Sequence, residues 1–436
     1  MGRYDRGIDP SPQRRATLSP LVLAAWVLAA VLVLPQPWHQ LRVPIDPMID
    51  LHVYRDAGLS LLHHNPVYAH YTITRASVLP FTYPPLAALL AVPLALVPFG
   101  AAMVAWDVAV YAALLCCLRW SLAGYRARLR RDGAGYEPLV LPAAFVVACW
   151  LLPGRQQVHF GQVGVLLMTL VMADLLTPVT GRWRGVLVGL ATAIKLTPGV
   201  FIVGLWLAGR RRTAGMAAAT VVLLTGLSAL VAPGSARAYW TSALFASDRL
   251  GNNADPTNQS LRGIVLRTPL VHLSATLMFL ALAAVVGTVG LRKAAAAWQA
   301  GDELTAVALV GLLSALLSPV AWIHHFVYLF PLLAVLVRDG RRLLPAALAA
   351  MWLFDLPAAG HALQGVTWLP LAGLLGWLLE AALCLSMAAV VLWLPVPRPA
   401  RSPRPGQAPP DAGIFSKPDL LEPARSQPTA VRAGRP

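Results

Sequence analysis

Long apolar runs with almost no charge follow one another along most of the sequence. They cover residues 20–34, 86–98, 101–118, 138–152, 163–177, 185–208, 213–232, 270–291, 303–319, 323–337, 343–356 and 369–394. Each run is continuous and rich in Leu, Ala and Val, whereas the strands of a membrane barrel alternate apolar and polar residues. Inside a bilayer a helix satisfies its own backbone hydrogen bonds. The runs therefore predict an all-α polytopic membrane protein.

Composition points to the same class. Hydrophobic residues make up 57% of the 436 residues and charged residues only 12%, against about a quarter in a soluble domain. The mean hydropathy is +0.63. A soluble fold cannot absorb this much apolar surface, because most of a globular chain still faces water.

The net charge of +16 does not mark a nucleic-acid-binding protein. Most arginines lie in short loops between apolar runs, which is the pattern of cytoplasmic loops in membrane proteins. The loops that we expect on the cytoplasmic side are 126–131, 182–184, 210–212, 292–293 and 338–342. Membrane lipids, and not nucleic acid, are therefore the expected partners.

Two polar ends flank the apolar region. Residues 1–18 predict a cytoplasmic segment before an uncleaved first span, since no small-residue cleavage site follows the first run. Residues 395–436 are rich in Pro, Arg, Ser and Ala and predict a disordered cytoplasmic tail. Residues 19–394 are expected to form one transmembrane domain of about 10–13 helices.

Some runs are too short for a simple span of roughly 20 residues. Residues 185–208 have basic clusters at both ends, which favours a hairpin of two half-helices with Lys195 and Pro198 at its tip. Residues 86–118 must cross an odd number of times, yet they read as two short runs split at VPFG. The sequence leaves open which of these two pieces spans the membrane.

Polar and aromatic residues collect on the side opposite the basic loops. The segments on that side are the first outer loop 37–85 and residues 154–162, 233–262, 318–325 and 357–368. We expect a functional site to form among them.

Asp50 is the central candidate for chemistry, beside His52, Tyr54 and Arg55 in the first outer loop. A carboxylate whose pKa is tuned by burial or neighbours can deprotonate a hydroxyl as a general base. The alternative is a solvated loop acid or a helix cap, because IDLHVYRDAGLSLL also reads as a short amphipathic helix. Asp56 is interpreted as a surface acid.

Tyr83, Gln162 and Lys195 are candidates for substrate contact. Tyr83 lies in FTYPP, where it equally fits an interfacial belt of aromatic residues. Gln162 begins an apolar run and can donate to a sugar or phosphate, unless it is a simple polar cap. Lys195 is costly within a membrane and suggests a lipid-phosphate partner, unless it snorkels to the interface.

The segment NQSLRG adds three further candidates for substrate binding. Asn258 and Gln259 offer amides, and Arg262 can hold a phosphate through two hydrogen bonds.

The segment SPVAWIHHF places His324 and His325 next to Trp322 at the end of a span. Adjacent histidines diverge on a helix, so they are poor joint metal ligands. We expect one of them to reach the pocket, to orient Asp50 or to bind phosphate. The alternative is an interfacial histidine pair.

No nucleotide-binding loop and no HExxH motif occurs in the sequence. An enzyme of this kind would take its donor from the lipid. No cofactor or metal is predicted, and a divalent metal is left open.

Six motifs taken in order resemble a known family. They are DLHVYRDAG, LPFTYPPLAALL, FGQVGVLLMTLVMADLL, GLATAIKLTPG, NQSLRG and SPVAWIHHFVYLFPLL, within residues 45–335. Together they resemble the actinobacterial polyprenol-phosphate-mannose-dependent α-mannosyltransferases of glycosyltransferase family 87. The resemblance implies a GT-C fold, a multi-span helical bundle with an active-site loop on its outer face. It also implies a polyprenyl-phosphate-mannose donor and a lipid-linked glycan acceptor.

The resemblance also implies roles for single residues. The essential aspartate of the family's first outer loop corresponds to Asp50, and its paired histidines correspond to His324 and His325. Family members commonly carry Asn after the GQV element, where this chain has Gly164. If that Asn contacts substrate, the sugar or the acceptor is expected to differ.

These features predict an inverting glycosyltransferase of the plasma membrane with an extracytoplasmic active site. It would move mannose from polyprenyl phosphate to a lipid-linked or polysaccharide mannoside, forming an α-mannosidic bond in cell-envelope glycan synthesis. Two alternatives remain: transfer of another lipid-linked sugar such as arabinofuranose, and transport of a lipid or glycan. A transporter should show paired broken helices in two repeats, and no such repeat is visible.

Overall fold

A computed structural model describes residues 19–42, 47–69, 71–73, 78–246, 249, 251–268, 274–366 and 368–396. The predicted cytoplasmic segment 1–18 and almost all of the predicted tail 395–436 lie outside these residues. The described chain is helical apart from one antiparallel pair of strands, β1 (Tyr71–Ile73) and β2 (Val78–Pro80). The predicted all-α class is confirmed.

The helices follow one another with short connections. In the first half they are α1 (Pro20–Val33), α2 (Pro35–Arg42), α3 (Ile49–Leu62), α4 (Pro85–Ala95), α5 (Phe99–Ser121), α6 (Ala123–Arg131), α7 (Val140–Trp150), α8 (Leu152–Phe160) and α9 (Gly164–Leu176). In the second half they are α10 (Val186–Ile194), α11 (Gly199–Leu207), α12 (Arg211–Val231), α13 (Pro233–Ala238), α14 (Leu261–Arg267), α15 (Ala275–Gln299), α16 (Glu303–Leu316), α17 (Leu329–Arg338), α18 (Leu343–Leu353), α19 (Leu356–Gln364) and α20 (Ala372–Trp393). Short 3₁₀ turns lie at Glu137–Leu139, Gly181–Trp183 and Ile323–His325, and Tyr239–Ala243 is a π-helical turn.

Several helices are long and apolar enough to cross a membrane. By length and composition the described chain has five, namely Pro20–His39, α5, α12, α15 and α20, or up to seven if two bent helix pairs each form one span. Large apolar side chains point outward from them; Leu230 of α12 is 81% exposed and Val222 is 72% exposed. Such a surface is unfavourable in water and suited to lipid. The predicted polytopic membrane protein is therefore confirmed.

The region 86–118 forms two helices of very different length. α4 has 11 residues and α5 has 23, and the VPFG turn separates them. Of the two, only α5 reaches spanning length. α4 packs along α3 so closely that a Cβ on Gly58 would lie 2.8 Å from the carbonyl oxygen of Ala91. α4 thus packs against α3 and is too short to form a full span.

The predicted hairpin segment folds into α10 and α11, separated by a bend at Lys195. Gly185, just before α10, lies against Thr213 near the start of α12. Gly189, one turn later, lies against Thr220. α10 therefore runs in the same direction as α12, and α11 has to return to reach the start of α12. Lys195 lies at the hairpin tip, at the far end of the nine-residue α10, which at 1.5 Å per residue is about 14 Å long.

Ion pairs tie basic loops together at the other end of this hairpin. Arg210, before α12, donates to the Glu303 carboxylate at the start of α16. Arg338 donates to both oxygens of Asp302 at 2.7 and 2.8 Å. Planar guanidinium groups match carboxylates in this bidentate way. The loops that the sequence predicts to be cytoplasmic therefore include neighbours in space.

A second hydrophobic cluster, apart from the main core, fixes the first outer loop to the bundle. Its buried members are Met48, Leu51, Val53, Tyr54, Ala57, Val67, Tyr68, Phe81, Tyr83, Ala88, Ala91, Met103 and Tyr239. Burial of this apolar surface provides the driving force, at about 25 cal/mol per Å² removed from water. Much of the predicted loop is thus ordered as α3 and the β1–β2 hairpin.

Candidate active site

Asp50 lies in the first turn of α3, which is the short helix that the sequence allowed. It does not cap that helix; the N-cap position belongs to Met48, a fully buried residue with a left-handed φ of 53°. The Asp50 side chain is half-buried, and its Oδ2 accepts the amide N–H of Gln162 at 2.5 Å. Within the described residues Oδ1 accepts no hydrogen bond, which leaves one carboxylate oxygen for a substrate hydroxyl.

Gly161 brings Gln162 to this carboxylate. It ends α8 in the left-handed region with φ +68°, a conformation that glycine adopts without steric cost. A Cβ at this position would lie 2.7 Å from the Cβ of Leu51 and 3.0 Å from that of Met48. The turn can approach α3 this closely only because the residue has no side chain.

Two tyrosines continue the hydrogen bonds away from Asp50. The side-chain oxygen Oε1 of Gln162 accepts from Tyr54 OH at 3.5 Å, and Tyr54 OH lies 3.0 Å from Tyr83 OH. Because an amide oxygen only accepts, Tyr54 has to donate to Gln162, and Tyr83 then donates to Tyr54. Burial raises the pKa of both phenols above their ordinary value, so both hydroxyls stay neutral.

Lys195 closes this chain of hydrogen bonds at its other end. Its Nζ donates to Tyr83 OH at 3.3 Å and lies 2.9 Å from His325 Nε2. It also lies over the Tyr83 ring, 4.9 Å from the ring centre. One hydrogen-bonded chain therefore runs from Lys195 to Asp50, and every donor in it points toward the carboxylate. Its members, in order, are Lys195, Tyr83, Tyr54, Gln162 and Asp50.

Burial shifts the pKa of both charged ends of the chain. It raises the pKa of Asp50 to about 6, against the opposing effects of the Gln162 hydrogen bond and the Lys195 charge. It lowers the pKa of Lys195 to about 8, against the opposing Asp50 charge. Near neutral pH an ionised carboxylate and an ammonium group can thus coexist, each close to its titration point. Groups poised in this way are typical of active sites.

The two histidines lie in the 3₁₀ turn Ile323–His325, in different environments. His325 contacts Lys195, and its Nδ1 accepts the backbone N–H of Trp322 at 3.2 Å. His324 is 5% exposed, packs edge-on against Phe160, and has no hydrogen-bond partner for either ring nitrogen within the described chain. Burial, followed by the Lys195 charge, lowers the pKa of both imidazoles. Both are therefore neutral.

Two buried polar residues that the sequence analysis did not single out hold this geometry. Gln157 donates to the backbone carbonyl of His324 at 2.7 Å and accepts from Val165 N–H at 3.0 Å, which joins α8 and α9 to the histidine turn. Asp174 accepts the backbone N–H groups of Gly185 and Val188, and so fixes the start of the Lys195 hairpin. An acid within an apolar run is the signal that could have found Asp174, because such residues are rarely without a role.

Asn258 and Gln259 lie against the segment that precedes the histidines. The side-chain oxygen Oδ1 of Asn258 accepts from the backbone N–H of Ala321 at 3.0 Å. Gln259 binds the backbone of α20, donating to the Glu380 carbonyl and accepting from Cys384 N–H. Both side chains are fully buried with protein partners, so we now propose that they position the histidine turn and do not contact substrate.

The other predicted residues lie around the chain of hydrogen bonds without joining it. His52 stacks on Phe99 with ring centres 3.8 Å apart. Arg55 donates to the carbonyl of Val97 at the turn between α4 and α5. Arg262 is half-buried on α14, and no contact in the described chain connects it to Asp50.

Two further residues have structural contacts. Trp322 contributes its backbone, which pairs with Asn258 and donates to His325. Asp56, interpreted as a surface acid, is half-buried and accepts the Thr72 hydroxyl at 2.8 Å, which ties α3 to β1. Among the described residues, no group of three or more His, Cys, Asp or Glu side chains could hold a metal ion.

Comparison with known proteins places the chain beside a group of membrane enzymes. The model of glycosyltransferase family 87 matches residues 81–319, a range that includes Tyr83, Gln162 and Lys195. Asp50 and the two histidines lie outside the matched range. No solved structure gives a significant match.

Curated relatives match over most of their length. The chain is 37% identical over 353 residues to a polyprenol-phosphate-mannose-dependent α-(1-2)-phosphatidylinositol pentamannoside mannosyltransferase of Mycobacterium tuberculosis, covering 78% of the chain and 77% of the relative. It is 34% identical over 398 residues to the protein of the same description from Mycolicibacterium smegmatis, covering 86% and 85%. It is 31% identical over 368 residues to a polyprenol-phosphate-mannose-dependent α-(1-2)-phosphatidylinositol mannoside mannosyltransferase of Mycobacterium tuberculosis, covering 80% and 86%.

Proposed function

The chain belongs to glycosyltransferase family 87, and from this premise we propose that it transfers mannose from polyprenyl phosphate to a phosphatidylinositol mannoside. The relatives are described as using this donor and making an α-(1-2) bond to such an acceptor. The proposal adds that Asp50 is the base of an inverting reaction. It also places the active site on the extracytoplasmic face of the plasma membrane, opposite the basic loops.

In the proposed reaction the Asp50 carboxylate accepts the proton of an acceptor hydroxyl. The hydroxyl oxygen forms a bond to the anomeric carbon of mannose as the bond between that carbon and the phosphate oxygen breaks. The polyprenyl phosphate leaves with the electron pair of the broken bond. Displacement in one step on a β-linked donor gives an α-mannoside. General-base catalysis of this kind contributes about 10² to 10⁴ in rate.

Lys195 is proposed to bind the phosphate as it leaves. A buried ammonium group stabilises developing negative charge more strongly than it would in water. His325 Nε2 lies 2.9 Å from Lys195 Nζ and helps to hold the amine in place. His324 carries two enclosed nitrogens without partners in the described chain, and these are available to a bound substrate.

The observation that carries the proposal is the chain of hydrogen bonds between Asp50 and Lys195. Its members come from α3, the segment after β2, the turn after α8 and the hairpin tip, and they meet in one place. The proposed base and the proposed phosphate-binding cation therefore lie at opposite ends of one polar array. The Gln162 amide interrupts any relay of protons along it, so the chain positions its two ends and does not conduct protons between them.

The proposal is tested with purified protein in vesicles. We expect radiolabelled polyprenyl-phosphate-mannose and phosphatidylinositol mannoside together to give a product with one more α-linked mannose. A polyprenyl-phosphate-arabinofuranose donor is tested in parallel, because the sugar that is transferred distinguishes a mannosyltransferase from an arabinofuranosyltransferase. Labelled product only from arabinofuranose, or movement of intact donor across the vesicle without a new glycosidic bond, would contradict the proposal.

A further inference from the structure

A cavity of about 520 Å³ lies beside the hydrogen-bonded chain that joins Asp50 to Lys195, and none of the five residues of that chain lines it. One wall is the segment after α3, from His64 to Ala69, and the other consists of the end of α12, α13 and the π-helical turn. Its volume falls in the range of about 300–1,000 Å³ that is usual for small-molecule sites. No residue proposed for catalysis lines it.

Tyr68 separates the cavity from the active site. Its ring lines the cavity, and its hydroxyl donates to the backbone carbonyl of Tyr83 at 2.7 Å. Tyr83 in turn contacts Tyr54 and Lys195. Tyr68 therefore connects the cavity to Tyr83, a member of the hydrogen-bonded chain that ends at Asp50.

The polar groups of the lining suit a neutral ligand with many hydroxyls. The side chains of Asn65, Ser235 and Ser242 make no hydrogen bond within the described chain and line the cavity. Arg249 donates to the Tyr68 carbonyl, while its Nε is enclosed without a partner. No carboxylate of the described chain lines the cavity, which argues against a cationic ligand. The apolar remainder of the lining matches the C–H faces of a sugar ring.

His64 at the rim has a conformation that usually belongs to glycine. It follows the end of α3 with φ 56°, and the backbone N–H of Asn65 reaches the Ser60 carbonyl at 2.7 Å. This is the helix ending in which glycine is the usual residue. The imidazole that replaces it lines the cavity, as expected of a side chain kept for contact with a ligand.

The cavity is also placed for a ligand that arrives on a lipid. Val231 lines it at the end of α12 and is 69% exposed, next to Leu230 on the outward apolar surface of the same helix. The cavity thus lies at the edge of the lipid-facing surface, where the glycan of a membrane-anchored acceptor would enter.

We propose that this cavity binds the non-reacting sugar residues of the acceptor, so that its terminal hydroxyl is held at Asp50. The inference rests on the proposed transfer reaction. It predicts that longer mannosides are better acceptors than a single mannoside, because only the longer ones fill the cavity.

The test replaces Ser242 with Trp and compares alkyl mannosides that carry one mannose or several. In the wild type we expect a lower KM for the longer acceptor. In Ser242→Trp we expect that KM to rise at least about tenfold, the effect of losing roughly one good contact, with an unchanged KM for the donor. Thr241→Trp is the matched control, since Thr241 is exposed on the same turn and does not line the cavity.

A smaller change guards against misfolding of the bulky variant. Asn65→Ala removes an amide from the exposed rim and should raise the KM of the longer acceptor several-fold. Two results would overturn the inference while leaving the transfer reaction intact. One is that the wild type uses both acceptors equally well. The other is that neither variant changes the KM of the longer acceptor. Absence of any transfer by the wild type would overturn the proposed function, and the inference with it.

Discussion

Lys195 Nζ lies 2.9 Å from His325 Nε2, while Nδ1 of the same ring accepts the backbone N–H of Trp322. A neutral imidazole has one N–H and one acceptor nitrogen. When Lys195 is an ammonium group, it donates to Nε2 and the ring proton lies on Nδ1. When Lys195 is a neutral amine, Nε2 can carry the proton and Nδ1 accepts from Trp322. The tautomer of His325 therefore follows the charge of Lys195.

We expect kcat/KM to follow a bell-shaped pH profile. Burial raises the pKa of Asp50 to about 6, and a base acts only when ionised, so the rate should rise as pH passes that value. Burial lowers the pKa of Lys195 to about 8, and the phosphate-binding charge is lost above it, so the rate should fall there. Rates measured from pH 5 to pH 10 at constant ionic strength check both limbs.

The variant Lys195→Arg serves as control for the alkaline limb. A guanidinium stays charged over the whole range, so the fall above pH 8 should disappear while the acid limb remains. An alkaline limb that persists unchanged in this variant would show that another group produces it.

Gln162 is expected to act as a positioning residue through the pKa of Asp50. Its N–H stabilises the carboxylate, so Gln162→Leu should move the acid limb to higher pH by about one unit. The control Gln156→Leu changes a half-buried glutamine on α8, the helix that precedes Gln162, and this glutamine makes no side-chain hydrogen bond in the described chain. A lower rate in Gln162→Leu with the acid limb in its original place would indicate a merely structural role.

Gly161→Ala should destabilise the protein and reduce activity. The left-handed backbone costs an alanine about 1–2 kcal/mol, and the contact of its Cβ with Leu51 adds about 1–3 kcal/mol of overpacking. Gly133→Ala is a matched control, because Gly133 has the same φ of +68° and no heavy atom within 4 Å of an added Cβ. Apparent melting temperatures in detergent compare the two. Equal shifts would contradict a close packing of this turn on α3.

Asn258→Ala should lower kcat more than it changes either KM. The substitution leaves the buried N–H of Ala321 without its acceptor, at a cost of about 1–3 kcal/mol, and loosens the histidine turn. The control is Asn252→Ala, an exposed residue whose side chain only accepts from Ala254 N–H. A rise in acceptor KM with unchanged kcat would restore substrate contact as the role of Asn258.

The membrane class, the hairpin at Lys195 and the helix that carries Asp50 were predictable, because hydropathy and charge placement act locally along the chain. The placement of basic loops predicted that the segments of Asp50, Gln162 and His325 share one side of the membrane. Their individual contacts were not predictable, since residues so far apart in sequence meet through packing.

Some roles were outside the reach of sequence patterns. In the sequence, Asn258 and Gln259 were candidates for substrate contact. Only the fold shows that their side-chain amides form hydrogen bonds with backbone groups. The importance of Gly161 was not predictable either, because it depends on how closely the turn after α8 approaches α3.

The most direct test of the account is the transfer rate of Asp50→Asn measured beside Asp56→Asn. Both replace a carboxylate on α3 with an amide of the same shape, and Asp56 only binds the Thr72 hydroxyl. The account predicts that Asp50→Asn inserts and folds normally yet loses at least about 100-fold in kcat, while Asp56→Asn stays within a few-fold of the wild type. Wild-type activity in Asp50→Asn would contradict the central claim that this carboxylate is the base.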